Sequence, residues 1–135
     1  MTLTRREAFA SLALALAAAH VDAQEQAPQQ AGGGPVFKHD LPNVSLDGWE
    51  VTMSHVNYAP GRVGQPHQHQ GFLFAYVLEG EVVAQVLGAG VSDEVKTYKP
   101  GEVFYEPMGS THQVSKNASA TKPAKLLAIN LRKKA

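Results

Sequence analysis

The sequence has 135 residues, and its 12 lysines and arginines balance its 12 aspartates and glutamates, so the formal net charge is zero. This length gives room for one domain. The balance argues against a nucleic-acid-binding protein, because phosphate recognition needs a concentrated basic surface and the only dense basic run is at residues 132–134. The absence of cysteine excludes disulfides and thiolate metal sites, so nitrogen and oxygen donors must hold any metal.

Residues 1–23 are predicted to be an export signal. Arg5 and Arg6 precede an apolar run at residues 8–19, which is too short to cross a bilayer because a spanning helix needs roughly 20 apolar residues. Small residues up to Ala23 suit cleavage. The paired arginines resemble a twin-arginine signal, with an ordinary secretory signal as the alternative. A periplasmic or secreted location is expected, with no membrane association once the signal is removed.

Residues 24–38 are predicted to be a flexible linker, because glutamine, alanine, glycine and proline dominate them and offer little apolar surface for packing. The folded domain is expected at residues 39–135. A domain of this size buries a modest fraction of its surface, so a homodimer is an expected partner state.

After residue 40 the sequence shows no helical period, and short β-rich runs alternate with turn signals. The run at residues 49–57 places four side chains on one face: Trp49, Val51, Met53 and His55. Residues 72–78 are nearly all apolar, as in a strand covered on both faces. Residues 81–87 follow the Gly80 turn as its expected hairpin partner. Further strands are expected at residues 95–99, 103–106, 112–115 and 124–131. This pattern predicts an all-β sandwich or barrel of seven or eight strands.

Three histidines form the strongest chemical signal. His67 and His69 are separated by one residue, so an extended chain projects both imidazoles on the same face. His112 lies 43 residues after His69 and follows a turn at residues 107–109. Three imidazoles that converge from two strands suit one divalent ion of Fe, Mn, Zn, Ni or Cu.

The spacing around these histidines resembles the two motifs of the cupin superfamily. Gly61 precedes His67 and His69 at the interval of the first motif, with Gly80 eleven residues further on. Gly101, Pro107, Gly109 and His112 follow the interval of the second motif. The resemblance covers about residues 45–131, and it implies a single double-stranded β-helix, a jelly-roll-like barrel with the metal inside. It also implies that His67, His69 and His112 are the metal ligands.

The sequence departs from the cupin pattern at two positions. The glutamate ligand expected four residues after His69 is Leu73, which cannot coordinate a metal. The asparagine expected four residues after His112 is Lys116, and Asn117 comes one place late. The usual set of three histidines and one glutamate is therefore incomplete.

Glu106 is the expected substitute for the missing carboxylate. It precedes Pro107, where cupins usually carry an apolar residue that faces the barrel interior. A carboxylate there is costly to bury without a partner. The expected roles are a fourth ligand, a partner for an imidazole N–H, or a catalytic general base, and the alternative is a side chain in solvent at a strand end. Gln70 and Gln113 are weaker candidates, His39 and His55 are expected outside the site, and His20 leaves with the signal.

Three histidines leave coordination positions open, as catalytic metal sites do. The resemblance implies a metal-dependent, dioxygenase-like reaction on a small molecule, or Lewis-acid chemistry with a non-redox metal. The alternative is a non-catalytic protein of the periplasm that binds a small ligand or a metal, which the leucine at position 73 favours. Fold alone does not decide between them.

Overall fold

Alternating apolar residues and glycine-containing turns organise residues 33–135, the part of the chain that the computed structural model describes, into β strands without a helix. The strands are β1 Trp49–Tyr58, β2 His67–Gln68, β3 Phe72–Glu79, β4 Val82–Leu87, β5 Lys96–Tyr98, β6 Val103–Glu106, β7 Thr111–Asn117 and β8 Ala124–Lys133. Residues 34–135 form one compact unit. The described region has no helix able to cross a membrane.

The strands form two antiparallel four-stranded sheets, in the orders β1-β8-β3-β6 and β2-β7-β4-β5. This arrangement confirms the predicted all-β barrel of the jelly-roll class. The core lies between the sheets, where inward side chains of β3 and β4 such as Val77 and Val82 are fully buried. Burial of a valine side chain stabilises the fold by about 1.5–3 kcal/mol.

The predicted hairpin between residues 72–78 and 81–87 is wrong. β3 pairs with β8 and β6, whereas β4 pairs with β7 and β5 in the other sheet. The turn at Gly80 therefore carries the chain from one sheet to the other. Gly80 has a φ of 68°, and a Cβ there would lie 2.6 Å from the carbonyl oxygen of Pro123, so this crossing requires glycine.

The alternation in β1 has the predicted period, but the face that carries Val51 and Met53 is exposed. These two side chains are 61% and 62% accessible, while Val56 and Tyr58 on the other face pack into the core. At the start of the strand, Trp49 stacks on Phe72 with ring centroids 5.5 Å apart.

A β-bulge at Gln113 changes the inward face of β7. His112 pairs with Val86 and Val114 pairs with Gln85, so Gln113 is an extra residue in the ladder. His112, Ser115 and Asn117 are all buried as a result. Asn117 lies one residue later than the asparagine of the cupin motif. Its Nδ2 donates to the carbonyl oxygens of Tyr58 and Lys122 at 3.2 and 2.8 Å.

Two aromatic contacts are made by residues that precede the first strand. Phe37, in the predicted linker, meets the ring of Phe74 edge to face at 5.8 Å, and the ring of His39, the first residue of the expected domain, lies 4.2 Å from that of Tyr105. The first strand begins at Trp49, ten residues after the expected start of the domain. The predicted signal at residues 1–23 lies outside the described residues.

Candidate metal centre

Pairing of β2 with β7 brings the histidines together. His67 lies opposite His112 in the register of this ladder, with ring centroids 5.1 Å apart. His69 follows β2, and its ring is 4.8 Å from that of His67. One ring nitrogen from each histidine lies within 4.8 Å of the other two, so the three side chains can share one ion.

Hydrogen bonds orient two of the imidazoles. The Nδ1 of His67 donates to the carbonyl oxygen of Gln65 at 2.8 Å, which leaves its Nε2 lone pair free. The Nδ1 of His112 lies 3.0 Å from Oε1 of Glu106, and donation from this nitrogen leaves the His112 Nε2 with a lone pair. That Nε2 is buried and has no hydrogen-bond partner.

This donor set fits a divalent cation. The Nε2 atoms of His67 and His69 are 3.1 Å apart, so two atoms that would both carry lone pairs in neutral, metal-binding imidazoles face one another. Together with the unpartnered Nε2 of His112, they offer three nitrogen donors at one place. A cation coordinated there satisfies all three atoms at once.

Glu106 faces the histidines and not the solvent. Its side chain is 2% exposed, and its Oε2 lies 3.6 Å from Nε2 of His69 without a hydrogen-bond partner. The residue directly across the β3–β6 ladder is Leu73, the position without its expected carboxylate. A carboxylate therefore reaches the histidines from the adjacent strand, and the bond to His112 offsets part of the cost of burying it.

The electrostatics of the site favour neutral imidazole at His69. Burial lowers the pKa of His69, and the nearby Glu106 opposes this effect by raising it. The neighbouring His67 and His112 lower it further. Because metal ions bind the neutral form, the net downward shift favours the form of His69 that could coordinate a metal.

A cavity of about 150 Å³ adjoins the histidines. Its walls are mostly apolar and come from β1, β3, β6 and β8: Val56, Leu73, Ala75, Phe104, Leu126 and Ala128. Three polar side chains that sequence reasoning missed also line it: Tyr58, Arg62 and Ser115. The tyrosine hydroxyl and the serine Oγ are 2.7 Å apart.

No local signal in the sequence singles out these three residues, since Tyr58 ends an alternating strand and Arg62 follows a turn glycine. Of the weaker candidates, Gln70 and Gln113 are exposed, and Gln70 lines a depression beside His69. His39 and His55 are outside the group of three histidines and do not line the cavity.

Sequence comparison matches this chain to a protein family and to longer relatives. The family model described as "Cupin domain" matches residues 54–130. The chain is 36% identical over 78 residues to germin-like protein subfamily 2 member 4 of Arabidopsis thaliana. This aligned region covers 57% of this chain and 35% of that protein. It is 33% identical over 91 residues to germin-like protein 5-1 of Oryza sativa subsp. japonica, and this region covers 67% of this chain and 40% of that protein. The chain thus spans well under half the length of these relatives.

Solved structures share the fold. The protein TT1209 of Thermus thermophilus is 30% identical with a TM-score of 0.52, over 62% of this chain and 74% of that chain. A predicted oxalate decarboxylase of Thermotoga maritima is 23% identical with a TM-score of 0.50, over 61% of this chain and 65% of that chain. The second likeness bears on the fold alone.

Proposed function

This chain belongs to the cupin family, and from that premise we propose that it is an exported, metal-dependent enzyme with dioxygenase-like activity on a small organic molecule. One observation carries the proposal: three imidazoles and one buried carboxylate meet at the wall of a cavity large enough for a small ligand. The catalytic activity, the export and the identity of the metal belong to this proposal.

In the proposed site, His67, His69 and His112 hold the ion. Their donor set accepts Fe, Mn, Zn, Ni or Cu, and the dioxygenase-like reaction needs one of the redox-active members of this group. When bound, the ion supplies Lewis-acid or redox chemistry at its open coordination positions. The exposed position of His67 and the partial exposure of His69 leave the site accessible from solvent.

Glu106 has two functions in this proposal. Its Oε1 accepts the Nδ1 proton of His112 and so fixes the tautomer of that ligand. Its Oε2, which has no hydrogen-bond partner, is placed to accept a proton from the substrate. The apolar cavity walls bind the body of the substrate and exclude water around this carboxylate.

Metal analysis of protein purified without a His-tag tests the proposal. We expect about one equivalent of a redox-active metal, and consumption of oxygen when the loaded protein is screened against small organic molecules. A protein that binds no divalent metal after incubation with each of the five ions contradicts the proposed site. Stoichiometric zinc without oxygen consumption contradicts the dioxygenase-like reaction.

The second candidate is a non-catalytic protein that binds a small ligand or sequesters a metal. The leucine at position 73 supports it, because the carboxylate found among cupin ligands is missing from that position. Metal-loaded protein that binds small ligands but shows neither oxygen consumption nor substrate conversion in the same screen decides for this candidate.

The proposed location is the periplasm or the exterior of the cell, after cleavage behind Ala23. Fractionation of expressing cells and sequencing of the mature N-terminus test it, and a full-length product retained in the cytoplasm contradicts it. A homodimer is proposed because the domain is small, and light scattering on the purified protein measures its mass.

A further inference from the structure

The side chain of Arg62 lies against the aromatic ring of Tyr58 at the edge of the cavity. Its guanidinium carbon is 4.5 Å from the ring centroid, at the distance of a cation–π contact. Within residues 33–135 this guanidinium forms no salt bridge with an acidic side chain. A guanidinium is always charged and has five N–H donors. Arg62, which lines the cavity, therefore offers a positive charge to an anion there.

Tyr58 and Ser115 supply a second donor to the same cavity. The two residues are 4% and 3% exposed, and their hydroxyl oxygens are 2.7 Å apart. Two hydroxyl groups carry two protons, and one hydrogen bond between them uses only one. The other proton remains available to a ligand in the cavity.

Local backbone features bring these groups to the cavity that contains the histidines. The bulge at Gln113 puts Ser115 on the same inward face as His112, three residues along β7. Gly64 allows the chain after Arg62 to pass close to this strand, since a Cβ there would lie 3.0 Å from the carbonyl oxygen of Ser115. The Gly64 N–H donates to that oxygen at 2.6 Å.

The cavity that these donors and the histidines line has mostly apolar walls, and its volume is about 150 Å³. An apolar cavity of this order takes a molecule about the size of benzene. A ligand that fits therefore has one anionic group and a compact apolar body. An aryl or short alkyl monocarboxylate has both properties.

We propose that Arg62, Tyr58 and Ser115 form a carboxylate-binding subsite that holds a small monocarboxylic acid with its apolar body directed towards the histidines. As a statement about substrate class, this inference rests on the proposed function. Binding at the subsite itself requires only the side chains of these three residues.

Calorimetric titration of the mature protein with benzoate and its neutral isostere benzamide, and with butyrate and butyramide, tests the subsite. We expect each acid to bind about tenfold more tightly than its amide, because a charge-assisted hydrogen bond strengthens only the former. R62Q should abolish this preference and leave the metal content unchanged, R62K should retain part of it, and S115A should reduce it. K96Q is the matched control, since Lys96 lies 4.6 Å above the ring of Tyr98, outside this cavity, and its removal should change nothing.

The same titrations on chelator-treated protein, whose fold is verified by circular dichroism, separate this inference from the metal function. Preference for the acid should persist without metal. Equal binding of acid and amide, an unchanged preference in R62Q, or a preference that disappears with the metal would each overturn the subsite. A protein that takes up no metal but prefers the acid supports the subsite while contradicting the proposed metal function.

Discussion

Leu73 and Glu106 face each other directly across the antiparallel pair β3–β6. Opposite side chains in such a ladder have Cβ atoms about 4.5–5.5 Å apart, so a carboxylate on either strand reaches nearly the same point in the barrel. This relationship explains how the site retains a carboxylate although Leu73 cannot supply one.

The relationship predicts that the carboxylate can be exchanged between the two strands. The single variant E106L should lose most of its bound metal, because His112 loses the acceptor that orients it. The double variant L73E/E106L should recover metal binding to within about tenfold of the wild type. Metal content and dissociation constants measure the effect. Equal loss in the single and double variants would show that the position of the carboxylate is not interchangeable.

Removal of a histidine ligand should empty the site. We expect H67A and H112A each to lose most of the bound metal, since two remaining imidazoles hold a divalent ion poorly. H55A is the matched control, because His55 does not line the cavity and lies outside the histidine group. Elemental analysis after dialysis gives the occupancy. Full occupancy in both ligand variants defeats the assignment of the site.

The substitution E106Q separates the two functions of Glu106. Glutamine retains an oxygen that can accept the His112 proton, but it cannot take a proton from a substrate. Metal affinity should fall by no more than about tenfold, while turnover should fall about 10²–10⁴-fold. Metal content and steady-state rates are compared in the same preparation. Unchanged metal content together with unchanged turnover would remove Glu106 from the site.

The lowered pKa of His69 predicts acid sensitivity of the metal-free protein. Between the folded pKa and the ordinary value of 6.5, the unfolded chain binds a proton at this residue that the folded chain does not. The contribution of His69 to the free energy of unfolding is therefore fully present above pH 6.5 and is lost as the pH falls through the folded pKa. Denaturant unfolding of chelated protein across this interval should show decreasing stability, with a smaller slope in H69Q. The same slope in both proteins would refute the contribution of His69.

The crossing between sheets predicts a large penalty at Gly80. G80A introduces a Cβ 2.6 Å from the oxygen of Pro123 at a φ of 68°, and we expect a loss of about 2–4 kcal/mol in the free energy of unfolding. At Gly90, φ is 81° but no atom lies within 4 Å of an added Cβ. G90A should therefore cost only about 1–2 kcal/mol. Equal losses in urea unfolding would contradict the close approach.

Sequence patterns predicted much of the fold because they depend on local chemistry. Apolar alternation and glycine turns located most of the strands, and the one-residue spacing of His67 and His69 placed both imidazoles on one side. An inward position of Glu106 was among the expectations because cupins usually carry an inward-facing apolar residue there, with a solvent-exposed side chain as the alternative.

The features that the sequence did not predict depend on how distant strands meet. A glycine turn does not reveal whether the next strand joins the same sheet, and the expected hairpin failed at Gly80 for this reason. The bulge at Gln113 is visible only in the ladder with β4, so the late Asn117 had no explanation beforehand. Tyr58 and Ser115 are 57 residues apart, and only the folded barrel joins them.

The bulge in β7 divides one strand into two units that can vary separately. His112 precedes the extra residue, whereas Ser115 and Asn117 follow it. If Gln113 joined a regular ladder in place of the bulge, Ser115 and Asn117 would turn to the outer face while His112 kept its orientation. The position of this one extra residue therefore decides whether Ser115 can serve the proposed carboxylate subsite, independently of the proposed metal ligand His112.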